Sequence, residues 1–319
     1  MSASFYLFDV DHGQSAALLL PNDRWCIFDV GRTNVFSPVR WIAANDRDDL
    51  IRQARGGAPN FRFLKGTVSH LHGDHLADFA NLFQHGPEFL KTVDADQAYL
   101  RDCYTTCSDE SAKTRVRAFS QRYASAFSPA VSVPDYGGVQ IKELCLPVVV
   151  ARQIGGDANA RVNNASVITR IDAYGNSILL CGDVQEEAWE AIIRDTGNYG
   201  RLWRPFLSSI DILVAPHHGH RSGYSTELLT LAKPAVVLVS VVSRDPNVDS
   251  RYSQLPVRGM KIGPTTYRYI STRQKGHIKV EIRPPNILAG QFKGSTYWTF
   301  GDAAIGRTSI LNSLVRNAP

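Results

Sequence analysis

The chain has 319 residues, 44% of them hydrophobic and 20% charged, proportions that fit a folded globular chain and exclude a disordered or low-complexity one. It contains no run of about 18 apolar residues, which excludes a membrane-spanning helix, and its opening Met-Ser-Ala-Ser-Phe-Tyr-Leu-Phe lacks a basic region followed by an apolar core, so a cytoplasmic location is expected. The net charge of +5 is unevenly spread, with 16 Lys and Arg against 6 Asp and Glu in residues 200–319 and 19 against 24 in the rest, and such a concentrated positive field favours a polyanionic partner over a plain solvated surface.

Taken in order, the apolar runs 5–10, 16–20 and 25–31, separated by Gly, Asn, Asp and Pro, predict strands and a hairpin. Residues 36–62 mix apolar and charged residues at helical spacing, with Trp41, Ile42, Leu50 and Ile51 on a buried face. The apolar lead-in 63–68 reads as a strand, 76–83 as a helix, and the polar stretch 99–127 as one or two surface helices, a candidate insertion over a cleft. Strand is expected again over 139–150. A hairpin is expected from Arg161–Ile171 through Tyr174-Gly175-Asn176 to Ser177–Cys181, followed by a helix opened by Glu186 and Glu187. Residues 210–216 and 235–242 read as buried strands. The segment 251–283 carries eight Lys and Arg and one Glu interleaved with Tyr252, Tyr267 and Tyr269, a composition suited to phosphate contacts and base stacking. Within it 276–282 alternates as an edge or half-exposed strand would. One domain over 1–283 and a C-terminal extension over 284–319, without an assigned role, is the expected organisation.

Chemistry concentrates in three places. His70, His72, Asp74 and His75 fall within six residues, and His70 and His72, two apart, share one side of an extended segment. Imidazole and carboxylate together suit zinc, manganese or iron. Gly182-Asp183 delivers a carboxylate at a strand end, and His217, His218 and His220 follow another strand. No histidine lies between His85 and His217, and that interval offers Asn163 and Asn164 instead. The cysteines Cys26, Cys103, Cys107, Cys145 and Cys181 read as structural thiols of a reducing compartment. Cys103 and Cys107 could share a helix face, but no second pair completes a zinc site. A Ser-His-Asp arrangement, a P-loop and a dinucleotide fingerprint are all absent.

The pattern H-x-H-x-D-H of residues 70–75 resembles the signature of the metallo-β-lactamase superfamily, which implies an α/β fold: a four-layer αββα sandwich with mixed sheets and a metal site at one edge. The Gly13-Gln14 loop, Asn163-Asn164-Ala165-Ser166, Gly182-Asp183 and His217-His218-Gly219, in that order, resemble the hydrolase domain of ComEC-type competence proteins and its stand-alone relatives. The loop Asp11-His12-Gly13-Gln14-Ser15 departs from that branch by losing an acid and gaining His12, which either lines the site or serves as a hydrogen-bonded loop residue.

The resemblance implies two divalent ions, Zn²⁺ or Mn²⁺. Asp74, His75, Asp183 and a histidine of the 217/218 pair would hold one; His70, His72 and Asp183 would hold the other, more weakly, with open positions. His217 is favoured as the ligand because it comes directly off the strand, leaving His218 or His220 to meet the leaving group or orient a ligand. Asp74 and Asp183 would orient a metal-activated water. Asp9 and Asp29 would steady metal-bound histidines. His12, Asn163, Asn164, His220, Arg221 and Ser222 are candidate substrate contacts. The expected reaction is hydrolysis of a phosphodiester in nucleic acid, most readily DNA. The alternatives are a small phosphodiester or (thio)ester, and a metal-binding component of a bacterial defence or DNA-uptake complex, with 99–127 and the tail as partner surfaces.

Overall fold

The computed structural model describes residues 1–126, 133–242, 247–254, 256–286, 288, 291 and 293–305. The chain opens with three strands, β1 (Ala3–Leu7), β2 (Ala16–Leu19) and β3 (Trp25–Phe28), then two short helices, α1 (Pro38–Asn45) and α2 (Arg47–Ala54). Next come β4 (Lys65–Thr67), α3 (Phe79–Gln84), β5 (Phe89–Lys91), α4 (Gln97–Thr106) and α5 (Glu110–Ala126). The middle runs β6 (Gln140–Leu144), α6 (Val148–Ile154), α7 (Ala158–Asn164), β7 (Ile168–Ala173), β8 (Asn176–Leu180), α8 (Glu186–Arg194) and α9 (Asn198–Leu207). After these follow β9 (Ile212–Val214), α10 (Thr226–Ala232), β10 (Val236–Val239), β11 (Met260–Ile262), β12 (Thr265–Tyr267) and β13 (Tyr269–Ser271). The described chain closes with α11 (Thr272–Lys275), β14 (Ile278–Arg283), β15 (Ser295–Phe300) and α12 (Asp302–Ile305).

A seven-stranded sheet in the order β15-β14-β1-β2-β3-β4-β5 faces a six-stranded one in the order β13-β10-β9-β8-β7-β6. Both are mixed: β3, β4 and β5 run parallel, as do β8, β9, β10 and β13, and the other pairings are antiparallel. Alternate residues build the layer between the sheets, because successive strand side chains point to opposite faces. Phe5, Leu7, Leu18 and Phe28 of one sheet meet Ile171, Ile178, Leu180, Ile212 and Leu238 of the other in one buried cluster. Opposite-face residues Tyr6, Trp25, Ile27, Leu179, Leu213 and Val237 join a second cluster with helical residues Ile42, Phe119, Trp189 and Trp203. Helices therefore cover both outer faces, and the expected α/β sandwich with mixed sheets is the observed architecture.

Several local expectations change. Val148–Ile154 is helical, not strand: the Val-Val-Val run favours strand, but Pro147 ends the extended segment and stands at the position before the helix, with no side-chain cap bond. Asn163 and Asn164 close α7 and do not open a strand. α3 starts at Phe79, three residues after the expected Leu76, because residues 73–78, which include the end of the histidine motif, form turns. Of the two readings of 276–282, β14 is the half-exposed strand, alternating buried and partly exposed residues, and not an edge, since β15 pairs with it along its whole length. The stretch 99–127 forms α4 and α5, with Tyr99, Cys103, Val116 and Phe119 buried; Phe127 lies outside the described residues, as does the extension beyond residue 305.

Candidate metal centre

The parallel strands of both sheets end at the same edge, where loops at carboxyl ends of strands commonly form sites. β3 and β4 stop level with each other, Phe28 opposite Thr67, and deliver Asp29 and Ser69–His75. β8 and β9 stop with Leu180 opposite Val214, and three residues later Asp183 and His217 lie side by side, the His217 N–H donating to Gly182 O at 2.9 Å. Backbone strain collects here: Asp29, His217 and His218 have φ of 55°, 51° and 53°, left-handed values that non-glycine residues adopt at a cost of about 1–3 kcal/mol each. Gly13 and Gly31 clasp the Asp74 carbonyl so closely that a Cβ would stand 2.7 and 3.0 Å from it, so neither position accepts a side chain without displacing the motif.

The predicted residues converge. His70 Nε2 is 3.0 Å from His72 Nδ1 and 3.7 Å from Asp183 Oδ2. His75 Nε2 is 3.3 Å from Asp183 Oδ1, 3.7 Å from Asp74 Oδ2 and 3.2 Å from His218 Nε2. His218 Nε2 is also 3.2 Å from Asp74 Oδ2 and 3.6 Å from Asp183 Oδ2. Among the described residues, donor atoms close enough to share an ion occur in two overlapping groups, His70, His75 and Asp183, and Asp74, His75 and His218. His217, favoured from its place at the strand end, stands further out, its Nε2 3.9 Å from Asp183 and its Nδ1 2.8 Å from Ser222 Oγ. The successive left-handed residues turn the second imidazole, His218, into the cluster.

The remaining candidates divide. Ser222 Oγ joins His217 Nδ1 to His220 Nδ1, each at 2.8 Å. His12 is exposed, with its ring 5.8 Å from that of His218, and Arg221 is exposed beside it in sequence to His220. Asn164 is committed to structure, its Oδ1 accepting from Gln185 N at 2.9 Å. Asn163 is wholly buried with neither amide atom partnered. Asp29 Oδ2 stands 3.0 Å from His75 Nδ1 as an ion-pair contact, and Ser69 Oγ is 3.3 Å from the same nitrogen. Asp9, whose carboxyl is raised by burial and by Asp11, shows no bond to the cluster. Two contacting residues had no sequence signal: Ser69 Oγ, 3.0 Å from His70 Nδ1, and Thr106 Oγ1, 3.1 Å from His72 Nε2.

The electrostatics ask for cations. Burial alone would raise both carboxyls, yet His75 and His218 hold Asp74 and Asp183 below the ordinary carboxylate range. Burial likewise opposes charge on His75 and His218, but Asp183 and its neighbours draw both upward. His70, His72 and His217 are pushed down by burial and neutral. Among the described residues no Lys or Arg pairs with Asp74 or Asp183; imidazoles alone face them. Asp183 Oδ1 and His218 Nδ1 have no hydrogen-bond partner. Ring nitrogens packed 3.0–3.2 Å apart around two carboxylates form a mixed nitrogen and oxygen donor set that fits divalent transition-metal ions.

No family model and no curated protein matches the sequence. Among solved structures the chain is similar to the metallo-β-lactamase fold protein YhfI from Bacillus subtilis, at 14% identity over 75% of this chain and 86% of that one, with a TM-score of 0.37. It is also similar to a diphosphatase from the PhnP family, at 12% identity over 80% and 92% of the two chains, TM-score 0.39. A third is human tRNase Z, short form, at 12% identity over 76% and 93%, TM-score 0.37. These likenesses concern the fold, and the chemistry of the site is read from its own residues.

Proposed function

We propose that the chain is a metal-dependent hydrolase that cleaves phosphodiester bonds in nucleic acid. The observation that carries this reading is the convergence of His70, His75 and Asp183 with Asp74 and His218 on one buried point. In this reading His70 Nε2, His72 Nδ1 and Asp183 hold one divalent ion, zinc or manganese, and Asp74, His75 Nε2, His218 Nε2 and Asp183 hold the other. Such ions polarise a phosphoryl oxygen and ease the deprotonation of a water at neutral pH.

The protein's own part is arrangement. His75 belongs to both donor groups, and Asp183, 3.3–3.7 Å from His70, His75 and His218, would tie the two together. Asp29, 3.0 Å from His75 Nδ1, would favour a proton on that nitrogen and so leave Nε2 to a metal. His217, Ser222 and His220 form a hydrogen-bonded series leading away from Asp183, and the exposed Arg221 and His12 would be free to meet a phosphate backbone. The motif order resembling the ComEC-type branch and the basic last third support a DNA substrate. Tyr252 does not serve as a stacking platform, being 1% exposed beneath Tyr224 and Arg251; Tyr267 and Tyr269 are half-buried. Incubation of the protein with single- and double-stranded DNA and RNA in manganese or zinc tests the reading. Cleavage lost in Asp74→Ala supports it, and hydrolysis of a generic phosphodiester without any nucleic-acid cleavage overturns the substrate.

A further inference from the structure

Thr106 lies in the last turn of α4, 34 residues from His72 in sequence. Its hydroxyl has one hydrogen to donate. Oγ1 is 2.9 Å from the Cys103 carbonyl oxygen, and a carbonyl only accepts, so the hydrogen lies on that bond. The same Oγ1 is 3.1 Å from His72 Nε2. With its hydrogen already used it can only accept there, which requires a proton on Nε2.

We infer that Thr106 is a positioning residue that locks His72 in the Nε2–H tautomer and so presents Nδ1, 3.0 Å from His70 Nε2, as the metal-facing atom. The functional meaning rests on the metal-centre reading above; the tautomer does not. α4 is thereby part of the site. It is braced against the next layer by Asp102, which pairs with Arg152 of α6 and takes Arg161 of α7 in two bonds of 2.7 and 3.0 Å.

A second consequence concerns the two ions. Behind His75 stand the Asp29 carboxylate and the Ser69 hydroxyl, whereas behind His72 and His70 stand hydroxyls, Thr106 and Ser69, without a carboxylate. A carboxylate behind an imidazole raises its basicity as a ligand, and a neutral hydroxyl does so far less. The His70/His72 group also has fewer carboxylates, since Asp74 faces His218. The His75 side therefore loads first and holds its ion more tightly, and Thr106 controls only the second, weaker step.

The test uses ¹⁵N-labelled full-length protein with metal removed, then titrated with zinc. Expected for the wild type is His72 protonated on Nε2 before titration and two resolved binding steps. Thr106→Val removes the acceptor that faces the half-buried Nε2–H, so it should shift His72 away from that single tautomer and weaken only the second step, by about 10–100-fold; Thr106→Ser should restore both. Wild-type His72 protonated on Nδ1, or Thr106→Val matching the wild type in both readouts, overturns the role of Thr106. A wild type that keeps the Nε2 proton yet takes up no zinc overturns the metal centre and leaves the tautomer lock standing.

Discussion

Asp29 Oδ2 stands 3.0 Å from His75 Nδ1 while its other oxygen accepts the Ser69 N–H at 2.6 Å. One carboxylate thus places negative charge behind a central imidazole and holds the start of the loop that carries His70, His72, Asp74 and His75. Asp29→Asn keeps an acceptor for Ser69 but loses the charge behind His75. It should fold normally and bind metal about 10–100-fold more weakly, as read by competition with a chromophoric chelator.

Asp102 ties α4 to α7 through Arg161, with side chains 11% and 25% exposed. Arg161→Ala removes a bidentate charge-assisted pair but leaves Arg152 in place. An expected loss of about 1–2 kcal/mol follows, measured as a lower urea midpoint at unchanged slope.

His277 supplies a pH dependence away from the metal-binding groups. Its Nδ1 accepts the Asp9 N–H at 3.0 Å, its ring packs on Phe8 and Phe36, and burial lowers its pKa from 6.5 against the pull of Asp302. In the unfolded chain His277 takes up a proton as pH falls through 6.5, while the folded ring resists. Its contribution to stability is therefore full above 6.5 and declines as pH drops below it, by at most about 1.4 kcal/mol per pH unit. Urea midpoints of His277→Gln should change less than those of the wild type over that acid range.

The basic third is partly neutralised: Arg251, Arg258 and Arg283 pair with Asp249, Asp211 and Glu281. Lys275 and Lys279 instead lie over aromatic rings, near Tyr267 and Phe300 and near Tyr6. Binding of single-stranded DNA should weaken steeply between about 50 and 200 mM salt, and the double variant Lys275→Glu, Lys279→Glu should flatten that slope. Fluorescence anisotropy reads both, and a slope the same in wild type and variant would remove these lysines from the interface.

Much of this was legible in the residues because it is written locally. The strands around the site are short apolar runs bounded by turn residues, the Tyr174-Gly175 turn takes its two left-handed positions as expected of such a hairpin, and the six-residue histidine motif declares its own chemistry. What the sequence does not show is tertiary. Val148–Val150 has strand composition but a helical place, although Asp157, which caps α7 by accepting from Ala160 N, was a readable start signal for the helix that carries Asn163 and Asn164. The choice between His217 and His218 depends on left-handed backbone at both, which neither residue type announces. Thr106 meets His72 only because α4 folds across the motif, and no spacing in the sequence encodes that contact.

The central claim is that His70, His72, Asp74, His75, Asp183 and His218 together hold divalent metal. Metal analysis of the protein purified without chelators, beside Asp183→Ala, tests it most directly. The account predicts about two equivalents per chain in the wild type when zinc or manganese is supplied, and a clear loss in the variant, whose missing carboxylate faces both groups. Less than one equivalent in the wild type, or the same content in both proteins, would contradict it.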